Sequence, residues 1–267
     1  MMMARLRFRL FGNHGGRRGA AGRQMVLSTY LAGLLLASSV LPEASAGDFT
    51  VTPVRLHFGA KDRAIAVTVT NNDSNPLTMQ ADLFEWRQEN GGKDVLTPTE
   101  DLFLSPPIVT IPPNSRQVVR LARLNDGTPA PDEPLTYRMI VREIPEATAE
   151  KTLTVRIALA FSMPIFIAPE EPKRQLDCQA TRLSPDSIRA TCANQGNVYA
   201  LITQLTLAAP GGEVLLSQDI GGGYILPEAT RSFDLKRQNG KIPAGKAQLE
   251  VLMDDLSRDR YGVSLGE

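Results

Sequence analysis

The chain has 267 residues with 29 basic and 29 acidic side chains, so its formal net charge at pH 7 is zero. The charges are unevenly spread, because six arginines and one acidic residue fall within the first 46 residues. The remaining 221 residues hold 23 basic and 28 acidic side chains, and this acidic excess argues against a nucleic-acid partner. That length is enough for one large β domain or for two domains of ordinary size.

Residues 1–46 have the three parts of a secretory signal peptide. Arginines dominate the start, residues 30–41 (YLAGLLLASSVL) form an apolar stretch, and Ala44-Ser45-Ala46 is a small-residue cleavage site. The apolar stretch is shorter than the ~20 residues of a transmembrane helix, which weighs against the alternative of a membrane anchor. The sequence therefore predicts export, cleavage after Ala46 and no membrane insertion of the cleaved protein.

From residue 49 onward the sequence consists of short β-strand patterns separated by turn signals such as NDSNP, NGG and IPPNS. The predicted strands of this first part include 49–58, 64–71, 77–86, 116–123, 135–144 and 152–161. About seven strands in roughly 120 residues are typical of an immunoglobulin-like sandwich. We therefore assign residues 47–167 to an N-terminal domain of this kind.

The last of these strands, TLTVRIALAF at residues 152–161, alternates with a regular period of two. Four large apolar side chains fall on one face of it, namely Leu153, Val155, Ile157 and Leu159. In an ordinary sandwich such a face packs against the protein's own core. The pattern alone does not decide between this packing and an exposed apolar face.

A linker and a second β domain are predicted for the rest of the chain. Residues 168–174 (APEEPKR) combine two prolines with four charges, a composition that breaks β-ladders and stays solvated. Residues 175–267 then show a second series of strand patterns, in which the glycine-rich segments 210–212 and 221–223 are predicted turns. We interpret this part as a smaller C-terminal β-sandwich domain.

The two cysteines of the chain, Cys178 and Cys192, lie symmetrically about the turn signal SPDS at residues 184–187. Two strands running back from that turn would place the cysteines opposite each other. Because exported proteins fold under oxidising conditions, we predict a structural disulfide between them.

Patterns that carry catalysis or bind metals are scarce. His57 is the one histidine after residue 46, and without free cysteines it does not make a zinc site, so we expect a surface residue. No GxSxG, P-loop or GxGxxG pattern occurs. The adjacent acids Asp254 and Asp255 are expected to point apart. The sequence thus predicts no enzyme activity, no metal and no cofactor.

Four segments occur in an order that resembles the periplasmic chaperones of chaperone–usher pilus assembly, the PapD-like family, and most closely its archaic branch. They are FTVTPVRLHF (49–58), TNNDSNP (70–76), LFLSPPIVTIPPNSRQVVRLAR (102–123) and TYRMIVREIP (136–145) followed by an alternating strand. The resemblance implies an all-β fold of two immunoglobulin-like β-sandwich domains, joined at an angle with a cleft between them.

The same resemblance implies a non-enzymatic chaperone of the periplasm that binds pilus subunits and delivers them to an outer-membrane usher. It also implies that the face formed by Leu153, Val155, Ile157 and Leu159 is lent as a donor strand to a subunit that lacks one. The sequence leaves open whether the free chaperone caps this strand by forming a dimer.

The resemblance further implies a cationic anchor for the C-terminal carboxylate of the subunit, because a carboxylate removed from water needs charge and hydrogen-bond donors. Arg55 falls where the non-archaic members carry the anchoring arginine of their first strand. Its predicted strand places three apolar residues on the face opposite Arg55, namely Val54, Leu56 and Phe58.

A second anchoring cation is implied on the strand TYRMIVREIP. The non-archaic members add a lysine at the end of the lent strand, but here Pro164 stands near that place. Arg138 corresponds to the anchor of archaic members, and Arg142, with the same parity, is a weaker candidate. The alternative for both arginines is that they are solvated surface charges.

Two other functions remain as alternatives. The first is a secreted immunoglobulin-like pilus subunit or adhesin, which would need an N-terminal donor extension, whereas only Gly47 and Asp48 separate the predicted cleavage site from the first strand. The second is a carbohydrate-binding or enzymatic sandwich. Trp86 is the sole tryptophan, so aromatic platforms for sugars are poorly supplied.

Overall fold

The computed structural model of the protein describes residues 48–89, 91–124, 135–145 and 158–266. Every regular element within these ranges is a β-strand, and they contain no helix long and apolar enough to cross a membrane. The predicted signal peptide lies outside the described residues. The same holds for Leu153, Val155 and Ile157 of the predicted donor strand.

The first sandwich consists of two antiparallel-rich sheets. Its strands are β1 (Phe49–Thr52), β2 (Leu56–Phe58), β3 (Ala64–Asn71), β4 (Leu77–Glu89), β5 (Lys93–Pro98), β6 (Leu102–Ser105), β7 (Ile108–Ile111), β8 (Ser115–Arg123), β9 (Leu135–Glu143) and β10 (Ala160–Ile167). One sheet has the order β1-β3-β8-β6, and the other has the order β2-β10-β9-β4-β5, with β7 also paired to β4. Alternation along the strands buries one face of each sheet, with Val67, Val69, Leu121, Met139 and Ile165 in the core between them.

The second sandwich has its own core. Its strands are β11 (Leu176–Ser184), β12 (Ser187–Asn194), β13 (Ala200–Ala208), β14 (Val214–Ile225), β15 (Thr230–Lys236), β16 (Gly245–Met253) and β17 (Arg258–Leu265). They form the sheets β11-β12-β15 and β14-β13-β16-β17. Ile188, Leu205 and Leu249 are among the side chains buried between these sheets. The predicted all-β fold of two sandwiches is confirmed.

The predicted disulfide is also confirmed. Strands β11 and β12 form a hairpin that turns at Pro185 and Asp186, so that Cys178 lies directly opposite Cys192 in the register, and the two are bonded. The disulfide thus cross-links two positions that the antiparallel pairing of the hairpin already places opposite each other.

The prediction of a single strand over 49–58 is wrong, because Pro53 interrupts it. Strand β1 pairs with β3 in one sheet, whereas β2 pairs with β10 in the other. Proline has no N–H group to donate to a ladder, so the chain leaves one sheet at this point and joins the second. Val54 lies in the crossing and is 72% exposed, while Leu56 and Phe58 are buried.

Glycines 221–223 form a bulge inside β14 rather than the predicted turn. Gln204 pairs with Asp219 and Ile202 pairs with Gly223, so β14 has extra residues opposite one residue of β13. Gly222 has φ of 66°, and a Cβ on Gly223 would lie 2.3 Å from a backbone oxygen of Ile202. A bulge and a turn both require glycine at such positions, which is why the pattern did not distinguish them.

Among the described residues, each sandwich has a buried asparagine with the same local structure, Asn71 at the end of β3 and Asn194 at the end of β12. The side-chain oxygen accepts a hydrogen bond from the backbone N–H two residues later. The side-chain nitrogen donates to the carbonyl four residues later and to a carbonyl distant in sequence. The partners are Asp73, Asn75 and Ile111 for Asn71, and Gly196, Val198 and Ile225 for Asn194, at 2.8–3.1 Å. The two sandwiches therefore use the same asparagine hydrogen bonds to fix the turn that follows a strand.

We expect Asn194→Ala to lower the free energy of unfolding by about 2–4 kcal/mol, because two buried carbonyl oxygens would lose their donor. Urea unfolding followed by circular dichroism measures this loss. Asn239→Ala, at an exposed position, is the control and should change the free energy by less than ~0.5 kcal/mol. Equal effects of the two substitutions would contradict a stabilising role for the hydrogen bonds of Asn194.

Candidate functional site

Four aromatic side chains from both sandwiches meet where the sandwiches contact each other, and we call them the aromatic junction: Trp86, Phe166, Tyr199 and Tyr224. The rings of Phe166 and Tyr199 stack with centroids 3.9 Å apart, and those of Trp86 and Tyr224 meet edge to face at 5.4 Å. Trp86 and Phe166 are buried together with the core of the second sandwich. The junction therefore joins the two sandwiches through apolar contact.

Strand alternation explains why the first sandwich contributes to the aromatic junction. On β10, Ile165 and Ile167 face the core of the first sandwich, so Phe166 between them faces the opposite side. On β4, Trp86 stands on the face opposite Met79 in the same way. Two large aromatic rings of the first sandwich thus lie outside its own core and are buried against the second sandwich.

Hydrogen bonds between the sandwiches accompany the aromatic contact. The Gln88 side chain accepts a hydrogen bond from the backbone N–H of Leu226 at 2.9 Å and donates to the carbonyl of Tyr224 at 3.1 Å. Nearby, the Gly91 N–H donates to the carbonyl of Thr230 at 3.1 Å. The end of the β4–β5 hairpin is thereby bonded to the backbone of the second sandwich.

Arg138 on β9 lies against this junction. Its guanidinium carbon is 3.8 Å from the ring centroid of Trp86, a cation–π geometry. Nη1 donates to Oγ of Ser162 at 3.1 Å, Nη2 is 3.4 Å from Oδ2 of Asp94, and the side chain is 17% exposed. Nε is buried and has no hydrogen-bond partner among the described residues. Arg138 is therefore not a solvated surface charge.

The electrostatic setting of Arg138 follows from this burial. Loss of hydration lowers the pKa of the guanidinium from its ordinary value, and the nearby Asp94 carboxylate opposes that effect. An arginine keeps its proton at neutral pH all the same. The site thus holds a cation with unused donor capacity.

Arg55 lies between β1 and β2 and reaches the other side of the junction. Its Nη1 is 2.5 Å from Oδ2 of Asp254 and 3.3 Å from the hydroxyl of Tyr199, to which it donates. Its guanidinium carbon is 5.9 and 5.7 Å from the ring centroids of Tyr199 and Tyr224. Burial lowers the pKa of Arg55, but the hydrogen bond with Asp254 and the tyrosines outweigh it and raise the pKa.

Arg142, the third predicted anchor, is placed differently. It lies four residues beyond Arg138 on β9, a distance of about 13 Å along a strand. Its Nη1 forms an ion pair with Asp82, and its side chain is 47% exposed. The structure therefore brings Arg55 and Arg138 to one aromatic junction and places Arg142 at a separate ion pair.

Two smaller expectations are confirmed at this site. His57 is exposed, and it stacks on Phe166 with centroids 5.6 Å apart. Partial burial, followed by the positive charge of Arg55, lowers the pKa of His57. Asp254 and Asp255 do point apart, since Asp254 pairs with Arg55 and Asp255 pairs with Arg174.

Next to these residues, one edge of strand β10 is unpaired over part of its length within the described residues. The strand pairs with β9 along its whole length, but with β2 only through Ile165–Ile167. In the described ranges, no strand pairs with this second edge at residues 160–164. Phe161, at 39% exposure, touches Phe49 there. Leu159, the one described member of the predicted donor face, is half-buried, and its carbonyl accepts a hydrogen bond from the N–H of Glu143 at 3.0 Å.

Sequence reasoning missed several partners of the arginines, namely Asp94, Ser162, Asp254, Tyr199 and Tyr224. None carries a local signal, because each reaches its arginine from another strand or from the other sandwich. One signal was present in the alternation of β4. A large aromatic such as Trp86 on the outward face of a strand indicates that a second layer covers it.

A protein-family model matches the first sandwich. Residues 48–173 match the model of the family described as "Pili and flagellar-assembly chaperone, PapD N-terminal domain". Comparison with curated protein sequences gives no significant match. The matched range covers all strands of the first sandwich and the segment that follows β10.

Solved structures of low sequence identity share the fold over both sandwiches. The CsuC-CsuE chaperone-tip adhesion subunit pre-assembly complex from archaic chaperone-usher Csu pili of Acinetobacter baumannii contains a chain with TM-score 0.57 and 18% identity, covering 82% of this chain and 100% of that chain. The E. coli chaperone DraB has TM-score 0.55 and 19% identity, with coverages of 84% and 98%. A chain of the Salmonella enterica complex of SafA pilin with the SafB chaperone has TM-score 0.56 and 13% identity, with coverages of 84% and 99%.

Proposed function

Because residues 48–173 match the PapD N-terminal domain of pili and flagellar-assembly chaperones, we propose that the chain is a PapD-like chaperone and that it binds pilus subunits by donor-strand complementation. In this proposal it acts in the periplasm after signal cleavage and delivers the subunits to an outer-membrane usher. No step is enzymatic, because capture and release exchange non-covalent strand pairing and need no cofactor.

The observation that carries the proposal is the edge of β10 that is unpaired at residues 160–164 within the described part of the chain. An unpaired strand edge presents a row of backbone donors and acceptors that another strand can use. The predicted donor residues continue the odd-numbered positions of β10, so a strand extended from β10 toward residue 152 would present them all on one face. These residues are Leu153, Val155, Ile157 and Leu159.

The strength of such pairing is adequate for a chaperone. Burial contributes about 1.5–3 kcal/mol per large apolar side chain, so four of them provide roughly 6–12 kcal/mol before the cost of ordering. This is enough to hold a subunit. It is also small enough for a competing strand to displace the chaperone later.

The arginines at the aromatic junction supply the second part of the proposal. A subunit that ends in a free carboxylate needs a cation with spare donors when it leaves water. Arg138 fits this need because its Nη2 has only a long 3.4 Å contact with Asp94 and its guanidinium lies against the ring of Trp86. We propose Arg138 as the main anchor, Arg55 as a second cation and Arg142 as a minor contributor.

Periplasmic co-expression of the chain with a candidate pilus subunit from the same source, followed by pull-down, tests the proposed function. We expect an equimolar complex and a subunit that persists only when the chain is present. Light scattering of the free chain would show whether a second copy occupies the open edge as a capping dimer. A chain that instead joins fibres as a component would support the alternative of a pilus subunit or adhesin and refute the proposal.

A further inference from the structure

We propose that Asp254 is a resident carboxylate of this site, which the carboxylate of a bound partner displaces from Arg55. The inference rests on the proposed function, in which a partner's terminal carboxylate reaches the arginines at the aromatic junction. It adds a residue of this chain that sets how tightly that carboxylate binds.

The geometry of the pair supports exchange. The 2.5 Å contact between Arg55 and Asp254 already places the negative charge of one carboxylate beside the guanidinium. A second carboxylate at the same guanidinium would bring two like charges within a few ångströms of each other, which is unfavourable. A partner's carboxylate therefore binds Arg55 best when Asp254 moves away.

Exposure shows that Asp254 is able to move. The side chains of Arg55 and Asp254 are 32% and 26% exposed, so water can solvate the aspartate once it is released. Asp254 lies in the turn between β16 and β17, and its backbone N–H is held by the carbonyl of Leu201 at 3.1 Å. The backbone is thus fixed while the carboxylate faces solvent.

The ion pair of Arg138 is longer than that of Arg55, and this difference gives the two cations different roles. Asp94 is 3.4 Å from Arg138, and Nε of Arg138 has no partner in the described structure. The long contact with Asp94 therefore leaves Nη2 of Arg138 as the donor that a carboxylate reaches with the least displacement, whereas the buried Nε is shielded. Arg55 becomes available only in competition with Asp254, so the resident aspartate weakens binding of an incoming carboxylate.

Asp254→Asn tests this competition, with Asp255→Asn as the matched control. Both substitutions remove one negative charge at neighbouring positions of the same turn, but Asp255 pairs with Arg174 and Ser257 instead of Arg55. The probe is a fluorescent peptide of alternating threonine and valine with two N-terminal lysines. It is used with a free C-terminal carboxylate and, separately, with a C-terminal amide, and binding is measured by fluorescence anisotropy.

We expect Asp254→Asn to bind the free-carboxylate peptide roughly two- to five-fold more tightly than the wild type, the range expected for loss of a partly exposed ion pair. Binding of the amide peptide and all binding by Asp255→Asn should change less than about two-fold. The gain should shrink at high salt, because the competition is between exposed charges. Thermal unfolding confirms that each variant is folded.

The contrary outcomes separate this inference from the proposed function. The wild type could prefer the carboxylate peptide while Asp254→Asn binds it equally well or more weakly. That result would show that Asp254 orients Arg55, and it would refute the proposed competition between the two carboxylates. Absence of a carboxylate preference in the wild type and in every variant would refute the anchor itself. Absence of any peptide binding would refute strand capture, and this inference with it.

Discussion

Ile157→Lys is expected to abolish capture of a pilus subunit while the chain remains folded. Ile157 is the third of the four residues on the predicted donor face, so a lysine there would place a charge inside an apolar groove of the subunit. The loss combines about 1.5–3 kcal/mol of apolar burial with the larger cost of burying an unpaired charge. Pull-down of a co-expressed subunit measures capture, and thermal unfolding measures whether the variant is folded.

Thr154→Lys is the matched control for this prediction. It introduces the same side chain on the same predicted strand, but at a position of opposite parity, so we expect capture to persist. Equal capture by both variants would place the contact elsewhere. An Ile157→Lys chain that fails to fold would show that this face packs against the protein's own core.

Arg138→Ala is expected to weaken subunit capture by about 10- to 150-fold, the range given by ~1.5–3 kcal/mol for hydrogen bonds to a charged group. The change removes the buried guanidinium that we propose to bind the terminal carboxylate. Folding should survive, because Asp94 is partly exposed and water can solvate it. Titration of the chaperone against a purified subunit measures the affinity.

Two further substitutions give this prediction its controls. Arg138→Lys keeps the charge but loses the planar donors and the stacking on Trp86, so we expect an intermediate loss. Arg142→Ala removes an arginine of the same strand and parity that pairs with Asp82 at the surface, so its effect should be small. If Arg142→Ala weakened capture as much as Arg138→Ala, a role for general positive charge would replace that of a specific anchor.

The family match and the structures of related fold agree with the organisation expected from the sequence, and they sharpen the view of the site. The expected anchors, Arg55 and Arg138, contact one aromatic junction, which the sequence pattern did not reveal. The junction also explains how one sheet of the first sandwich serves two purposes. Its inner face forms a core, while its outer face holds Trp86, Phe166 and Arg138.

The sequence by itself determined features that depend on neighbouring residues. A period of two predicted most strands, because successive side chains of a strand point to opposite faces. The turn SPDS at 184–187 predicted the disulfide, since a hairpin brings residues at equal distances from its turn opposite each other. Local patterns were least informative at Pro53 and at glycines 221–223, where the same residue types serve turns, bulges and strand crossings.

Only the tertiary structure decided which residues meet at the site. Arg55 and Asp254 are separated by 199 positions, and their pairing depends on how the two sandwiches contact each other. The same holds for Arg138, whose strand alternation predicts a surface position but whose guanidinium is buried against Trp86. The physical reason is that periodicity fixes the face on which a side chain stands. Its partners and its hydration depend on the element that packs against that face.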